Sequence, residues 1–287
     1  MNNTSTAHCA VVGNPIAHSL SPQIHHAFAQ SLGLNVRYER ILSETQDFDT
    51  VVHQFFTSGG RGLNITVPFK EQAFALADDK SPRARLAGAV NTLWMSEGRL
   101  QGCNTDGEGL VYDMQRLNTP PKDQRILIIG AGGATRGVLI PLLEAGARNL
   151  KIINRTPARA AQIADELCQQ QPQYEKKLSV GSLQDTDGQW DIVINATSAS
   201  LGSAGLNHGP IEYSPTALAY DMVYGAQPTA FMQQARTQGA QHTADGLGML
   251  VEQAASSFAI WFGQRPPTTA VRQALRTQLQ AAASRTP

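Results

Sequence analysis

Cysteine is scarce in this chain. Cys9, Cys103 and Cys168 are the three in 287 residues, odd in number and far apart. That pattern excludes a disulfide framework and offers no zinc spacing. The three read as small buried apolar side chains or inert thiols. A surplus of either charge is also missing, since Lys plus Arg and Asp plus Glu each number 23. Without a basic stripe or a polybasic tract, neither nucleic acid nor a membrane surface is expected as a partner. No apolar run approaches the ~20 residues needed to span a bilayer. The opening residues, as far as His8, lack the basic and apolar segments of a secretory leader, so a reducing, cytoplasmic setting is the expectation. His25 and His26, and separately His53, fall on helical segments with no cysteine or acid at ligand spacing, and no metal is expected.

What is present suits a globular enzyme. Apolar residues make up 41% and charged residues 16% of a chain longer than one hydrophobic core usually fills. Strand-like and helix-like segments alternate, which predicts an α/β fold with a parallel or mixed sheet. The strands are His8–Gly13, Val36–Ile41 and Gly62–Val67. The helices are Pro22–Gly33 and Phe48–Thr57. A second unit opens at Arg125–Ile129, a continuous apolar run as in a strand buried on both faces. Helix Ala134–Ala145 follows, with Gly146 as its stop. Leu150–Ile153, Asp191–Asn195 and Leu218–Asp221 are the further strands. From Leu247 the residues Leu250, Val251, Ala254, Ala255, Phe258, Trp261 and Phe262 form one helical stripe, and Val271–Ala283 is a last helix.

Gly130-Ala131-Gly132-Gly133-Ala134 leaves a strand and opens a helix. Glycines there allow a tight turn and close approach of a pyrophosphate, while the helix start offers free N–H groups. Thr135 replaces the third glycine of the usual pattern. An NAD site normally has an acid after the second strand, on the ribose 2′-hydroxyl. Here Asn154-Arg155-Thr156 stands instead, with Arg159 one turn on. An arginine with a hydroxyl suits a 2′-phosphate and points to NADP. Thr156 capping a helix with Pro157 at its first position satisfies the same residues.

Other positions have plain local readings. Ser21 reads as the cap of the helix begun by Pro22, and Ser19 as a turn residue. Thr105-x-x-Glu108 reads as a capping box, with Asp106 in the first turn. Lys70, near a helix start, opposes the helix dipole, although a solvated surface lysine fits as well. Gly248 costs stability in a helix.

A set of motifs nevertheless resembles the shikimate dehydrogenase family over nearly the whole chain, in family order. They are Gly13-Asn14-Pro15 with His18-Ser19-Leu20-Ser21-Pro22, then Asn64-Ile65-Thr66-Val67-Pro68-Phe69-Lys70 and Gly88-Ala89-Val90-Asn91-Thr92. Gly102-Cys103-Asn104-Thr105-Asp106-Gly107 and the glycine loop follow. The last are Asn195-Ala196-Thr197-Ser198 and Asp245-Gly246-Leu247 through Gln253-Ala254-Ala255. The resemblance implies reversible NADPH-linked reduction of 3-dehydroshikimate to shikimate, on the route to aromatic amino acids. It implies an N-terminal α/β substrate-binding domain (1–104, with helices of 246–287 returning to it) and a Rossmann-type NADP-binding domain (105–245). It makes Lys70 and Asp106 the catalytic pair. Ser19 and Ser21 become ligands of the substrate carboxylate, and Asn64, Thr66, Asn91, Tyr224 and Gln253 further substrate contacts. Gly130, Ala131, Gly132, Gly133, Ala134, Asn154, Arg155, Thr156, Arg159, Thr197, Met222 and Gly246 are the expected cofactor contacts. The loop 198–203 departs from the family wording, which leaves its nicotinamide contacts open. The substrate is a small molecule, and the expected assembly is a monomer or a homodimer. Two other readings stay open: a dual quinate/shikimate enzyme, and a ligand sensor without catalysis on the same fold.

Overall fold

A computed structural model describes residues 6–197 and 207–284. Ser198 and the rest of the 198–203 loop lie outside them. The chain forms two units, one reaching Gly109 and including Val251–Gln273, the other comprising Leu110–Leu250 and the chain from Ala274 onward. The sequence placed all of 246–287 with the first unit. The boundary instead falls between Gln273 and Ala274, and Arg276, beyond it, bonds to Gly225 and Asp245 of the second unit.

The first unit contains β1 (Ala7–Gly13), α1 (Ser21–Ser31), β2 (Val36–Leu42), α2 (Phe48–Thr57), β3 (Gly62–Ile65), α3 (Lys70–Leu76), β4 (Asp79–Lys80), α4 (Pro82–Ala87), β5 (Thr92–Ser96), β6 (Arg99–Cys103) and the start of α5 (Asp106–Arg116). Its mixed sheet has the order β2-β1-β3-β5-β6-β4. The pair β1/β3 is parallel, and β3/β5 and β5/β6 are antiparallel. The strand expected over Gly62–Val67 ends at Ile65. Pro68 has no N–H to continue a ladder, and the Phe69 N–H turns back to the Thr66 carbonyl. That early end frees the segment that leads to Lys70.

The second unit contains β7 (Arg125–Ile129), α6 (Gly133–Glu144), β8 (Asn149–Ile153), α7 (Pro157–Gln170), β9 (Leu178–Gly181), β10 (Gln189–Asn195), β11 (Glu212–Asp221), α8 (Ala230–Thr237) and β12 (His242–Asp245). The last helices are α9 (Leu247–Phe262), of which Leu247–Leu250 belong to this unit and the rest to the first, and α10 (Thr269–Ala283), which belongs to this unit from Ala274 onward. All its strand pairs are parallel, in the order β12-β11-β10-β7-β8-β9. This is a doubly wound Rossmann order, and its switch point lies between β7 and β10. Ile126 to Ile129 are fully buried, each contributing roughly 1.5–3 kcal/mol by leaving water. β11 starts at Glu212, well before the expected Leu218. Its first half holds Pro215 and pairs with β10 across a register shift, so it carries no clean apolar run.

Candidate active site

In the first unit, β3, β5, the start of α3 and the start of α5 present polar side chains to one another. Lys70 is the first residue of α3 and Asp106 the first of α5. Lys70 Nζ donates to Asp106 Oδ2 at 2.6 Å. Asn91 Nδ2 donates to the other carboxylate oxygen at 2.8 Å. The Asn91 amide has one possible orientation, because its Oδ1 accepts the Thr105 backbone N–H at 2.9 Å. Its Nδ2 therefore faces Asp106, and also Gln253 Oε1 at 3.2 Å. That contact turns the Gln253 amide so that its oxygen is engaged and its NH2 group is directed elsewhere.

A second amide sits behind this group. Asn64 Oδ1 accepts from the Tyr38 hydroxyl at 2.8 Å, and its Nδ2 donates to the Asn91 carbonyl and to Ser257 Oγ, each at 3.1 Å. Ser257 Oγ also meets Thr92 Oγ1 at 2.7 Å. Burial pushes the Tyr38 hydroxyl well above its ordinary pKa, while a Ser21 hydrogen bond acts in the opposite sense. Ser21, Tyr38, Asn64, Asn91, Asp106 and Lys70 thus form one connected polar array. Tyr38, Thr92 and Ser257 were not singled out in the sequence. Ser257 is four residues past Gln253 and so on the same helical face, which was the available signal.

Two capping expectations are corrected. Ser21 does not cap α1: Leu20 holds the cap position without a side-chain bond, and Ser19 Oγ accepts the Ser21 N–H at 3.3 Å. The Ser21 hydroxyl is thereby spared local work. Thr105 and Glu108 form no capping box. The Thr105 hydroxyl joins Asn91 and Ser257, and Glu108 pairs with Arg83 at 2.7 Å. Asn104 Oδ1 takes the Asp106 N–H instead. Thr66 is half-buried beside Gly13, where a Cβ would stand 2.5 Å from its methyl group.

In the second unit, Gly130 ends β7 with φ +114°, and a Cβ there would lie 2.8 Å from the Thr197 methyl. Only glycine combines that backbone with that approach. Gly132 and Gly133 face open space, and Gly132 opens α6 with no acid in the first turn. An open helix start without a nearby acid is the local chemistry that suits an anion. Thr135, which stands in for the third glycine, is buried and donates its hydroxyl to the Gly130 carbonyl at 2.8 Å. Ala131 is half-buried and Ala134 exposed on the same turn. After β8, Asn154 Nδ2 donates to the Thr156 carbonyl at 2.9 Å. Thr156 sits at the cap position of α7 with Pro157 at the first helical position, but its hydroxyl makes no capping bond. Arg155 and Arg159 are exposed, with no ion-pair partner among the described residues. Thr197 donates to Asn195 Oδ1 at 2.7 Å, and Met222 N–H to the Asn195 carbonyl at 3.0 Å. Gly246 is buried against Met222, and Tyr224 is half-buried. Burial first, and the Asp245 charge second, raise the Tyr224 hydroxyl pKa.

Burial also pushes the Cys9 thiol up to about 12, in keeping with an inert side chain. No cluster of His, Cys, Asp or Glu able to hold a metal occurs among the described residues, and none of their helices is long and apolar enough to cross a membrane.

Residues 11–93 match the model of the shikimate dehydrogenase substrate-binding domain, 114–204 that of shikimate/quinate 5-dehydrogenase, and 246–276 that of the shikimate 5′-dehydrogenase C-terminal domain. A shikimate dehydrogenase (NADP(+)) of Bordetella avium is 54% identical, over 95% of this chain and 96% of its own. The Thermus thermophilus shikimate 5-dehydrogenase, solved with NADP(H) and shikimate, has a TM-score of 0.82 at 34% identity, covering 95% of this chain and 99% of that one. The Listeria monocytogenes shikimate 5-dehydrogenase, solved with shikimate and NAD, has a TM-score of 0.85 at 27% identity, covering 96% and 99%.

Proposed function

This chain belongs to the shikimate dehydrogenase family, and from that membership we propose that it catalyses the reversible NADPH-dependent reduction of 3-dehydroshikimate to shikimate. The observation that carries the reading is the Lys70–Asp106 pair, held through the fixed amide of Asn91. Bound NADPH supplies a hydride to the ring ketone carbon. Lys70 gives a proton to the oxygen as it becomes an alkoxide, and takes that proton back in the reverse direction. Asp106 keeps the ammonium in place and accepts a bond from a neighbouring substrate hydroxyl. Asn91 holds Asp106, so the carboxylate does not swing with its own torsions. Ser19 and Ser21 donate hydroxyl hydrogens to the substrate carboxylate. Asn64, Thr66, Asn91, Tyr224 and Gln253 meet the ring hydroxyls and carbonyl.

Gly130 to Ala134 at the start of α6 would hold the cofactor's pyrophosphate, and Thr197, Met222 and Gly246 would contact the rest of the cofactor. Asn154, Arg155, Thr156 and Arg159 take the 2′-phosphate; the exposed arginines after β8, where an acid would favour NAD, support that preference. The substrate domain is proposed to be built mainly from the N-terminal residues, and the NADP domain from the all-parallel sheet. Steady-state assays with shikimate or quinate, each with NADP or NAD, test the reading. Turnover is expected to be greatest with shikimate and NADP. Equal use of quinate would make the enzyme dual-specific, and no turnover with any pair would leave a ligand sensor.

A further inference from the structure

The segment 222–229, between β11 and α8, carries Met222 and Tyr224, and its anchors are unevenly placed. Both ends are tied by buried acids at the tips of adjacent strands. Asp221 Oδ1 accepts the Val223 N–H at 3.1 Å and Asn195 Nδ2 at 2.9 Å, and its Oδ2 accepts the Thr229 hydroxyl at 2.6 Å. On the neighbouring strand, Asp245 Oδ1 accepts the Leu247 N–H at 3.2 Å. Gly246 N–H donates to the Val223 carbonyl at 3.1 Å, and a Cβ at Gly246 would lie 2.1 Å from the Met222 carbonyl oxygen.

The middle of the segment, just past Tyr224, depends on a residue far along the chain. Arg276 of α10 donates from Nη1 to the Gly225 carbonyl at 2.8 Å and from Nη2 to Asp245 Oδ1. Gly225 N–H reaches Asp245 Oδ2 at 3.5 Å. One planar guanidinium therefore joins a buried carboxylate to the peptide beside Tyr224. A lysine there would supply charge but not the rigid two-point fork. Asp245 is 8% exposed, and among the described residues its donors besides Arg276 are the backbone N–H groups of Gly225 and Leu247.

We infer that Arg276 is a positioning residue for the reaction, fixing the Gly225 peptide and through it the Tyr224 side chain. The inference rests on the proposed contact of Tyr224 with substrate. Arg276 itself touches neither substrate nor cofactor in this scheme.

A double-mutant cycle on the purified full chain tests it, with KM for shikimate and kcat as readouts. Tyr224→Phe is expected to raise KM about tenfold, the worth of one lost hydrogen bond. Arg276→Ala is expected to raise KM by a similar factor with kcat within about twofold, and Arg276→Lys to recover part of it. The combination is expected near tenfold and not near a hundredfold, because both changes remove the same contact. If Tyr224→Phe raises KM while Arg276→Ala and Arg276→Lys leave it at the parent value, or if the effects multiply, the inference is wrong and Arg276 is only a staple between α10 and β12. A Tyr224→Phe enzyme with parental KM would instead overturn the substrate reading of Tyr224, and the inference with it. Should Arg276→Ala fail to fold, Arg276→Lys in the same cycle with Tyr224→Phe decides, by the same sharing or multiplication of effects.

Discussion

The Lys70 ammonium lies 2.6 Å from one oxygen of Asp106, while the Asn91 amide holds the other oxygen at 2.8 Å. As the proposed proton donor, Lys70 is anchored by a carboxylate that is itself anchored, which leaves it little freedom to miss its target. Replacing Lys70 with alanine is expected to lower kcat by about 10²- to 10⁴-fold, the usual contribution of a placed acid or base. KM for shikimate should change by less than about threefold, since the loss falls on the transition state. Stopped-flow or steady-state kinetics at saturating NADP measures both; near-native kcat would remove Lys70 from the chemistry.

Cofactor choice is proposed to rest on Arg155, which is exposed beyond β8 with no ion-pair partner among the described residues. A bond between a cation and phosphate contributes about 1.5–3 kcal/mol, so Arg155→Ala should raise KM for NADPH about ten- to a hundredfold. KM for NADH, which lacks the phosphate, should stay within about twofold. Equal losses for the two cofactors would mean that Arg155 supports the fold of the loop and not the phosphate.

Much of this was legible in the sequence, for particular reasons. The run Arg125–Ile129 is buried on both faces, so an unbroken apolar segment was enough to locate β7. The glycine loop was legible because few other sequences fit between a strand and a helix there. The array around Asn91 was not. Thr105 and Glu108 have the spacing of a capping box, yet tertiary partners claim both side chains. Spacing reports local competition for backbone groups, but not the arrival of Ser257 or Arg83 from elsewhere in the chain. Arg276 was invisible for the same reason: it lies 51 residues from Gly225, and nothing in its helix marks it out.

His25 gives a pH signature of folding. It is 1% exposed and stacks on Tyr38 at 4.3 Å between ring centroids. Burial lowers its pKa to about 3, from an ordinary value of 6.5. Below about pH 6.5 the unfolded chain binds a proton that the native chain refuses. Stability from this site is therefore complete above pH 6.5 and falls by up to about 1.4 kcal/mol per pH unit as pH drops toward 3. Urea titrations at pH 7.5 and pH 5 are expected to show that slope in the parent and a shallower one in His25→Phe. The same slope in both would assign the acid sensitivity to other groups.

Gly248 was expected to weaken its helix, and alanine in place of a helical glycine usually gains up to about 1 kcal/mol. Here the sign should reverse. A Cβ on Gly248 would stand 2.0 Å from the Asp113 carboxylate. That carboxylate has no room to retreat: Asp113 is fully buried and accepts from the Tyr220 hydroxyl at 2.8 Å and from Arg116 Nε at 2.7 Å. Overpacking of this kind costs about 1–3 kcal/mol, and displacing the carboxylate would also strain bonds to a buried charge. Gly248→Ala is thus expected to lower the urea midpoint at unchanged m-value. In an Asp113→Ala background the clash is gone, and the same substitution should cost nothing or stabilise slightly. A Gly248→Ala protein more stable than the parent would show that Asp113 moves freely, and the glycine would then have no packing role.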